Sequence, residues 1–168
     1  MKTWRWGTTA TAIVALAACS HSSFRDDTIA IQVASRWQVA NLSTKAPQHY
    51  KLWRDPEQLQ IVVFPGSSPP IDVGAALDRG TREIVRRPDF QCAVSSPVGL
   101  PVETAVGTVY AKSVNYTCTR PGETVAGALF VAGFEQSRHK ILIIAGHRDS
   151  AGLRDIQAMV ASLRIREG

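Results

Sequence analysis

The sequence predicts an α+β fold in which a curved antiparallel sheet is flanked by two main helices. Segments rich in Val, Ile, Thr and Tyr dominate the middle of the 168-residue chain, as is typical of strands. Apolar residues recur at helical spacing twice, once inside the chain and once near its end. Short turns join consecutive strand segments, and such strands pair as an antiparallel meander. This separation of strands from helices indicates the α+β class.

The N-terminal part of the domain contains two clear strand segments and one ambiguous region. Residues 28–33 alternate between apolar and polar positions, and residues 35–37 form a turn into a further short strand. Residues 59–64 form the second clear strand, and the Pro- and Gly-containing run 65–70 ends it. Between these strands, residues 44–53 fit either a short helix or an irregular edge.

A helix is predicted over residues 71–87. Asp72 lies at its start, where a carboxylate suits the exposed amides, and Pro88 follows its end. Gly80 lies on its apolar face and permits close packing against a sheet. That apolar face consists of Val73, Ala76, Leu77, Gly80 and Ile84.

The second half of the chain predicts a meander of long strands and a final helix. The strand segments are 90–95, 102–119, 125–134 and 140–145. Gly107 indicates a bend or bulge in the longest of them. The final helix covers residues 151–163, with Asp149 or Ser150 as its N-cap.

The N-terminus resembles a bacterial lipoprotein signal peptide. Lys2 and Arg5 precede a small, apolar run that ends in Leu16-Ala17-Ala18-Cys19, a sequence similar to a lipobox. The run is shorter than the roughly 20 residues that span a bilayer. On this interpretation residues 1–18 are removed and Cys19 becomes lipidated with fatty acids such as palmitate. The alternative is a plain secretory signal in which Cys19 has no role.

The predicted organisation is a signal peptide (1–18), a lipidated tether (19–27) and a single α+β domain (28–168). Removal of Lys2 and Arg5 leaves 17 basic and 14 acidic residues, a net charge of +3. This weak charge and the expected export argue against nucleic-acid binding. In Gram-negative lipoproteins an aspartate after the cysteine marks inner-membrane retention, so Ser20 favours an outer-membrane anchor facing the periplasm.

The two remaining cysteines predict a disulfide. Cys92 and Cys118 are an even pair in an oxidising compartment, and both lie in strand-like segments. We expect a bond between neighbouring strands; the alternative is two buried free thiols. Two cysteines 26 positions apart and four scattered histidines lack the spacing of a metal site, and no cofactor is expected.

The order of these elements resembles a known family. A strand leads to Ser35-Arg36-Trp37, a second strand ends at Pro65, a helix and a meander follow, and the last helix ends in Ser162-Leu163-Arg164. This order is similar to the PsbP-like fold, which DcrB-like bacterial lipoproteins and certain type VI secretion chaperones share, over residues 28–166. The resemblance implies an α/β/α sandwich with a binding or accessory role and no catalysis.

No catalytic motif emerges from the residues. His147, Asp149 and Ser150 are close in sequence, but a triad is defined by geometry, and a strand-to-helix turn capped by Asp149 explains them more simply. The carboxylates of Asp26, Asp27, Asp55 and Glu57 lie in the tether or in a turn, where solvation is their expected state.

Two groups of residues are candidates for binding. Arg79, Arg82 and Arg86 share one helix face, which fits contact with anionic head groups or an acidic partner, or a solvated face on which Glu83 pairs locally. Trp37 and Trp53 are expected in the core or at a sheet edge. If a groove exists, Trp53, Tyr50 and His49 are the residues expected to line it.

These observations favour a non-enzymatic, membrane-anchored periplasmic lipoprotein that binds an envelope protein or a small apolar ligand. One alternative is an envelope hydrolase with an unrecognised site; another is an immunity or chaperone lipoprotein linked to a secretion system. An enzyme should show a pocket with converging titratable groups. A binding module should show an apolar groove or patch.

Overall fold

The structure is a computed structural model that describes residues 22–43 and 45–166. Within these residues the chain forms eleven strands and two helices. In chain order they are β1 (Ser22–Arg25), β2 (Ile29–Val33), β3 (Gln38–Ser43), β4 (Gln48–Arg54), β5 (Glu57–Pro65), α1 (Val73–Val85), β6 (Gln91–Val94), β7 (Val98–Thr104), β8 (Gly107–Arg120), β9 (Glu123–Gln136), β10 (His139–His147), α2 (Ser150–Ser162) and β11 (Arg164–Ile165).

The described strands build two antiparallel sheets. The large sheet has eight strands in the order β3-β4-β5-β10-β9-β8-β6, and β7 pairs with β8 along the same edge as β6. The small sheet has the order β1-β2-β11. The predicted α+β class, with a large antiparallel sheet and two helices, is confirmed.

The large sheet packs on both of its faces, as β10 shows. Ile141 and Ile143 belong to one core cluster, whereas the alternating Leu142 and Ile144 pack against a second. Helix α2 and the small sheet cover the first cluster, and α1 covers the second. The molecule therefore has three layers, and we refer to the two sides of the large sheet as the α1 face and the α2 face.

Helix α1 begins after Asp72, whose carboxylate accepts a hydrogen bond from the backbone N–H of Ala75 at 2.9 Å. Its buried residues, Leu77 and Ile84, face the sheet. A Cβ atom at Gly80 would lie 2.7 Å from Cδ2 of Leu129 on β9. Glycine at position 80 therefore lets the helix approach the sheet closely, as the sequence indicated.

Helix α2 begins after Asp149, whose carboxylate accepts the N–H of Gly152 at 2.7 Å. The predicted cap is thus confirmed. Ile156, Met159 and Val160 bury its inner face. Neither helix of the described residues has the length and apolar character that crossing a bilayer requires.

The predicted tether is partly wrong, because residues 22–25 are a strand of the small sheet rather than a free linker. β1 pairs with β2 over its whole length. Phe24 holds it in place: its ring packs edge-on against Tyr50 with centroids 6.0 Å apart. Pairing with β2 and the packing of this one aromatic side chain together hold the segment as a strand. The signal peptide (1–18) and Cys19 lie outside the described residues.

Two further predictions about elements are corrected. The ambiguous region 44–53 contributes β4, which is stabilised by pairing with β3 and β5 rather than by local propensity. The predicted strand 102–119 and the turn before it are instead the hairpin β7–β8. Its turn is closed by Thr104, whose hydroxyl donates to the carbonyl of Gly107 at 2.7 Å and accepts from the N–H of Val106. Gly107, with φ +108°, begins β8 directly after the turn at residues 105–106, so it ends a hairpin turn and does not mark a bend or bulge inside a strand.

Candidate functional site

Helix α1 covers only half of its face of the large sheet. It packs against β6, β8 and β9, and its principal contacts end at β10. Within the described residues, β3, β4 and β5 therefore carry no helix on this side. Phe64, near the end of β5, lies on this side as well; the other side chains that the strand alternation directs to this uncovered half are Gln38, Ala40, His49, Lys51, Trp53, Gln58, Gln60 and Val62. We call these eight residues the open face.

The strand register arranges the open face in rows. Trp53 lies directly opposite Gln38 on one side and Gln58 on the other. In the next row Lys51 lies between Ala40 and Gln60. Cross-strand partners of this kind have Cβ atoms about 5 Å apart, so each row is a set of touching side chains.

Two contacts between side chains characterise the open face. The Lys51 ammonium nitrogen lies 5.7 Å from the centre of the Trp53 ring, a cation–π distance. Nε2 of His49 lies 3.1 Å from Oε1 of Gln60. None of the eight residues is acidic. The surface is therefore amphiphilic and weakly basic, and not the purely apolar patch expected of a binding module.

The predicted groove residues divide between the two faces of the sheet. Trp53 and His49 share the open face, but Tyr50 is fully buried on the α2 face. Trp37 is also in that core, with 3% exposure. The sequence missed the three glutamines of the open face. Their signal was the alternation of Gln58 and Gln60 with apolar residues in β5.

The three arginines proposed for head-group or partner contact, Arg79, Arg82 and Arg86, are exposed on the outer side of α1. No ion pair within 4.0 Å involves them in the part of the chain that the structure describes, so Glu83 does not pair with them. They lie on the opposite side of the large sheet from β1.

A polar cluster joins the β4–β5 turn to α2. Nη1 of Arg54 lies 2.9 Å from Oδ2 of Asp155, and its Nε lies 3.5 Å from Oε2 of Glu57. Glu57 is 5% exposed, so the expectation of a solvated carboxylate is wrong for this residue. Gly152 makes room for it, because a Cβ there would meet the Glu57 side chain at 2.5 Å. The cluster fixes α2 to the sheet.

The residues of the considered triad do not assemble into one. Nδ1 of His147 lies 3.1 Å from the main-chain oxygen of Asp149, and not from its carboxylate. That carboxylate caps α2, and its hydrogen bond from Gly152 is the main reason that the pKa of Asp149 is lowered. Burial lowers the pKa of His147 from its usual 6.5, against the opposing effect of its contact with Asp149. Burial therefore favours the neutral form of this histidine, which lies beside a structural cap.

Apart from the open face, a concave site lies between the β1–β2 turn and the β3–β4 hairpin. It is a cavity of about 240 Å³, and its lining residues are Asp26, Asp27, Thr28, Asn41, Gln48 and Tyr50. Asp26 shapes the turn by accepting the N–H groups of Thr28 and Ile29 at 2.8 and 2.9 Å. The hydroxyl of Tyr50 has no hydrogen-bond partner among the described residues, and burial raises its pKa.

The predicted disulfide joins Cys92 on β6 to Cys118 on β8. The two residues are direct partners in the strand register, with Cα atoms 4.0 Å apart. Cys118 is fully buried under α1. The bond therefore fastens the edge strand beneath the covered half of the sheet. Among the described residues no cluster of three or more metal-ligating side chains occurs.

No protein-family model and no curated protein matches the sequence. The solved structures that are similar to the chain include two bacterial proteins. The solution structure of cyanobacterial PsbP (CyanoP) from Synechocystis sp. PCC 6803 is 12% identical with a TM-score of 0.49, over 92% of this chain and 98% of that chain. LpqN of Mycobacterium tuberculosis, a protein involved in cell envelope biogenesis, is 14% identical with a TM-score of 0.42, over 95% of this chain and 93% of that chain.

Proposed function

We propose that this chain is a non-enzymatic accessory protein of the bacterial cell envelope, anchored by lipid at Cys19, that binds an envelope component through the open face. The observation that carries the proposal is the uncovered half of the α1 face. There an indole, three carboxamides and an ammonium group are gathered on a rigid sheet, and neither helix of the described residues lies over them. Rigid elements position binding groups more accurately than loops do.

The start of β1 defines how such an anchor would hold the domain. Only Ser20 and His21 separate Cys19 from the first residue of β1. Lipidation of Cys19 would therefore hold the small sheet close to the bilayer. The open face and α1 lie on the other side of the large sheet and would point away from that membrane. For this reason we favour a partner in the periplasm over head groups of the anchoring leaflet as the ligand of this side.

The anchor and the surface can be tested together in intact cells. Radiolabelled palmitate should enter the protein, and a Cys19→Ala variant should lose the label and leave the membrane fraction. A photo-reactive residue at position 58, on the open face, should give a cross-linked adduct. The same residue at position 82, on the exposed side of α1, is the matched control. If the protein takes up no palmitate label, the lipid anchor is wrong. If adducts form from position 82 but not from position 58, the open face is not the binding surface.

A further inference from the structure

We propose that the open face binds the carboxylate-bearing glycan of the bacterial cell wall. This inference rests on the proposed function, since it names the ligand class of the same surface. Its basis is the side chains of the open face, the charge they carry and the dimensions of the sheet they occupy.

The row around Trp53 has the composition that a sugar ring requires. An indole offers a flat apolar face to the C–H groups of a pyranose ring, and Trp53 is partly exposed on the open face. Gln38 and Gln58 flank the indole on the neighbouring strands. A carboxamide both donates and accepts hydrogen bonds, as does a sugar hydroxyl, so the two amides can serve hydroxyls on both sides of a stacked ring.

The charge of the open face selects among glycans. Lys51 is its only permanent charge, and the surface contains no carboxylate. The Lys51 ammonium lies 5.7 Å from the centre of the Trp53 ring. A carboxylate on a sugar stacked there, or on a substituent of that sugar, would therefore lie close to a positive charge. A protein segment would find few apolar pockets here, because amides separate the apolar groups. These features favour an acidic glycan as the occupant.

The dimensions and the orientation agree with this occupant. Three strands and three rows of side chains give a surface of roughly 10 by 14 Å, which accommodates a short run of sugar units. With Cys19 in a membrane, this surface faces the periplasmic space, where the cell-wall polymer lies. The weak attraction of a single cation suits a reversible contact with a large polymer.

Isothermal titration calorimetry of the detergent-purified full chain tests the proposal. The two probes are soluble glycan strands released from cell walls, which carry peptide carboxylates, and chitotetraose, a neutral N-acetylglucosamine oligomer. We expect the wall strands to bind and chitotetraose to bind more weakly. Trp53→Leu should weaken wall-strand binding roughly tenfold, from the loss of stacking. Lys51→Gln should weaken it about fivefold and reduce its salt dependence.

The matched controls are Tyr110→Leu and Lys112→Gln. Tyr110 is 78% exposed on β8, and Lys112 is exposed on the same strand, so these variants remove an exposed aromatic ring and an ammonium group outside the open face. Lys51→Gln remains informative if Trp53→Leu does not fold. The glycan assignment would be overturned by any of three results: equal binding of both probes, control variants that weaken binding as much as the open-face variants do, or no binding of wall strands. If adducts form from position 58 but no glycan binds, the proposed binding function stands and its partner is a protein.

Discussion

The two halves of the α1 face differ in composition although they belong to one continuous sheet. Under α1 the sheet presents Val114, Leu129 and Val131, which are buried. Over β4 and β5 it presents Lys51 and Gln58, which remain half-exposed. A helix over the amides would bury polar groups without partners, at a cost of about 1–3 kcal/mol each. The position of α1 therefore follows from the side chains beneath it.

A single row of side chains shows where the change occurs. Val131, Ile144, Gln60 and Lys51 lie side by side on four adjacent strands. The first two pack against α1, and the last two do not. The boundary is thus between β10 and β5. The end of β5 at Pro65 and the start of β10 at His139 are 74 positions apart in the sequence, so the two strands meet only in the folded chain. This comparison separates the covered half, whose side chains pack as core, from the open half, whose side chains stay at the surface and which we propose for binding.

Removal of the disulfide should give the largest loss of stability, because it fastens the edge of the covered half. A Cys92→Ala/Cys118→Ala double variant should lose about 3.5 kcal/mol of unfolding free energy, as the chain-entropy relation gives for a loop closed across 26 residues. Urea unfolding with and without reductant measures the loss. Two alkylatable thiols in the unreduced native protein would contradict the bond itself.

Truncation of the helix contact should have the next largest effect. Leu77 is 2% exposed between α1 and the sheet, so Leu77→Ala should cost about 3 kcal/mol through lost burial and a cavity. Chemical denaturation measures it. A cost below about 1 kcal/mol would mean that α1 is not firmly packed, and the contrast between the two halves would disappear.

The sequence predicted the elements whose signals are local. Helices α1 and α2, their caps Asp72 and Asp149, and the strand face that carries Cys92 follow from spacing and end signals. β1 and β4 were missed because each is ordered by pairing with the strands next to it along the chain, and not by a regular alternation within its own segment.

The open face was only partly predicted, for a reason that lies in strand parity. Trp53 and His49 differ by an even number of positions and so share a face, whereas Tyr50 is offset by one and points to the opposite core. Gln38 joins Trp53 through the β3–β4 register, which no single segment encodes. The sequence shows which residues each strand contains, but the open face depends on how three strands pair with one another.

Acidification should lower the stability of the fold through His147, which lies at the end of β10, the last strand of the covered half. The folded state favours the neutral form of His147 because burial lowers its pKa, so the unfolded state takes up the proton first as pH falls below 6.5. Stability is therefore present above that pH and is lost below it, with Asp149 and Glu57 opposing the effect. His147→Gln should reduce the fall in melting temperature between pH 7.5 and pH 5. An unchanged fall would exclude His147 as its source.

The smallest effect on stability is expected in the open half. Gln38→Ser and Gln58→Ser, combined, should change the unfolding free energy by no more than about 0.5 kcal/mol, because both amides face outward beside Trp53. The same double variant should lose cross-linking from a photo-reactive residue at position 60. Thermal unfolding and adduct yield are measured on one preparation, with Lys112→Gln as the control. A large loss of stability would show that the two amides help to hold the fold together. If stability and adduct yield are both unchanged, the amides are ordinary solvated surface residues. A loss of adduct yield without a loss of stability is the result that supports a binding role.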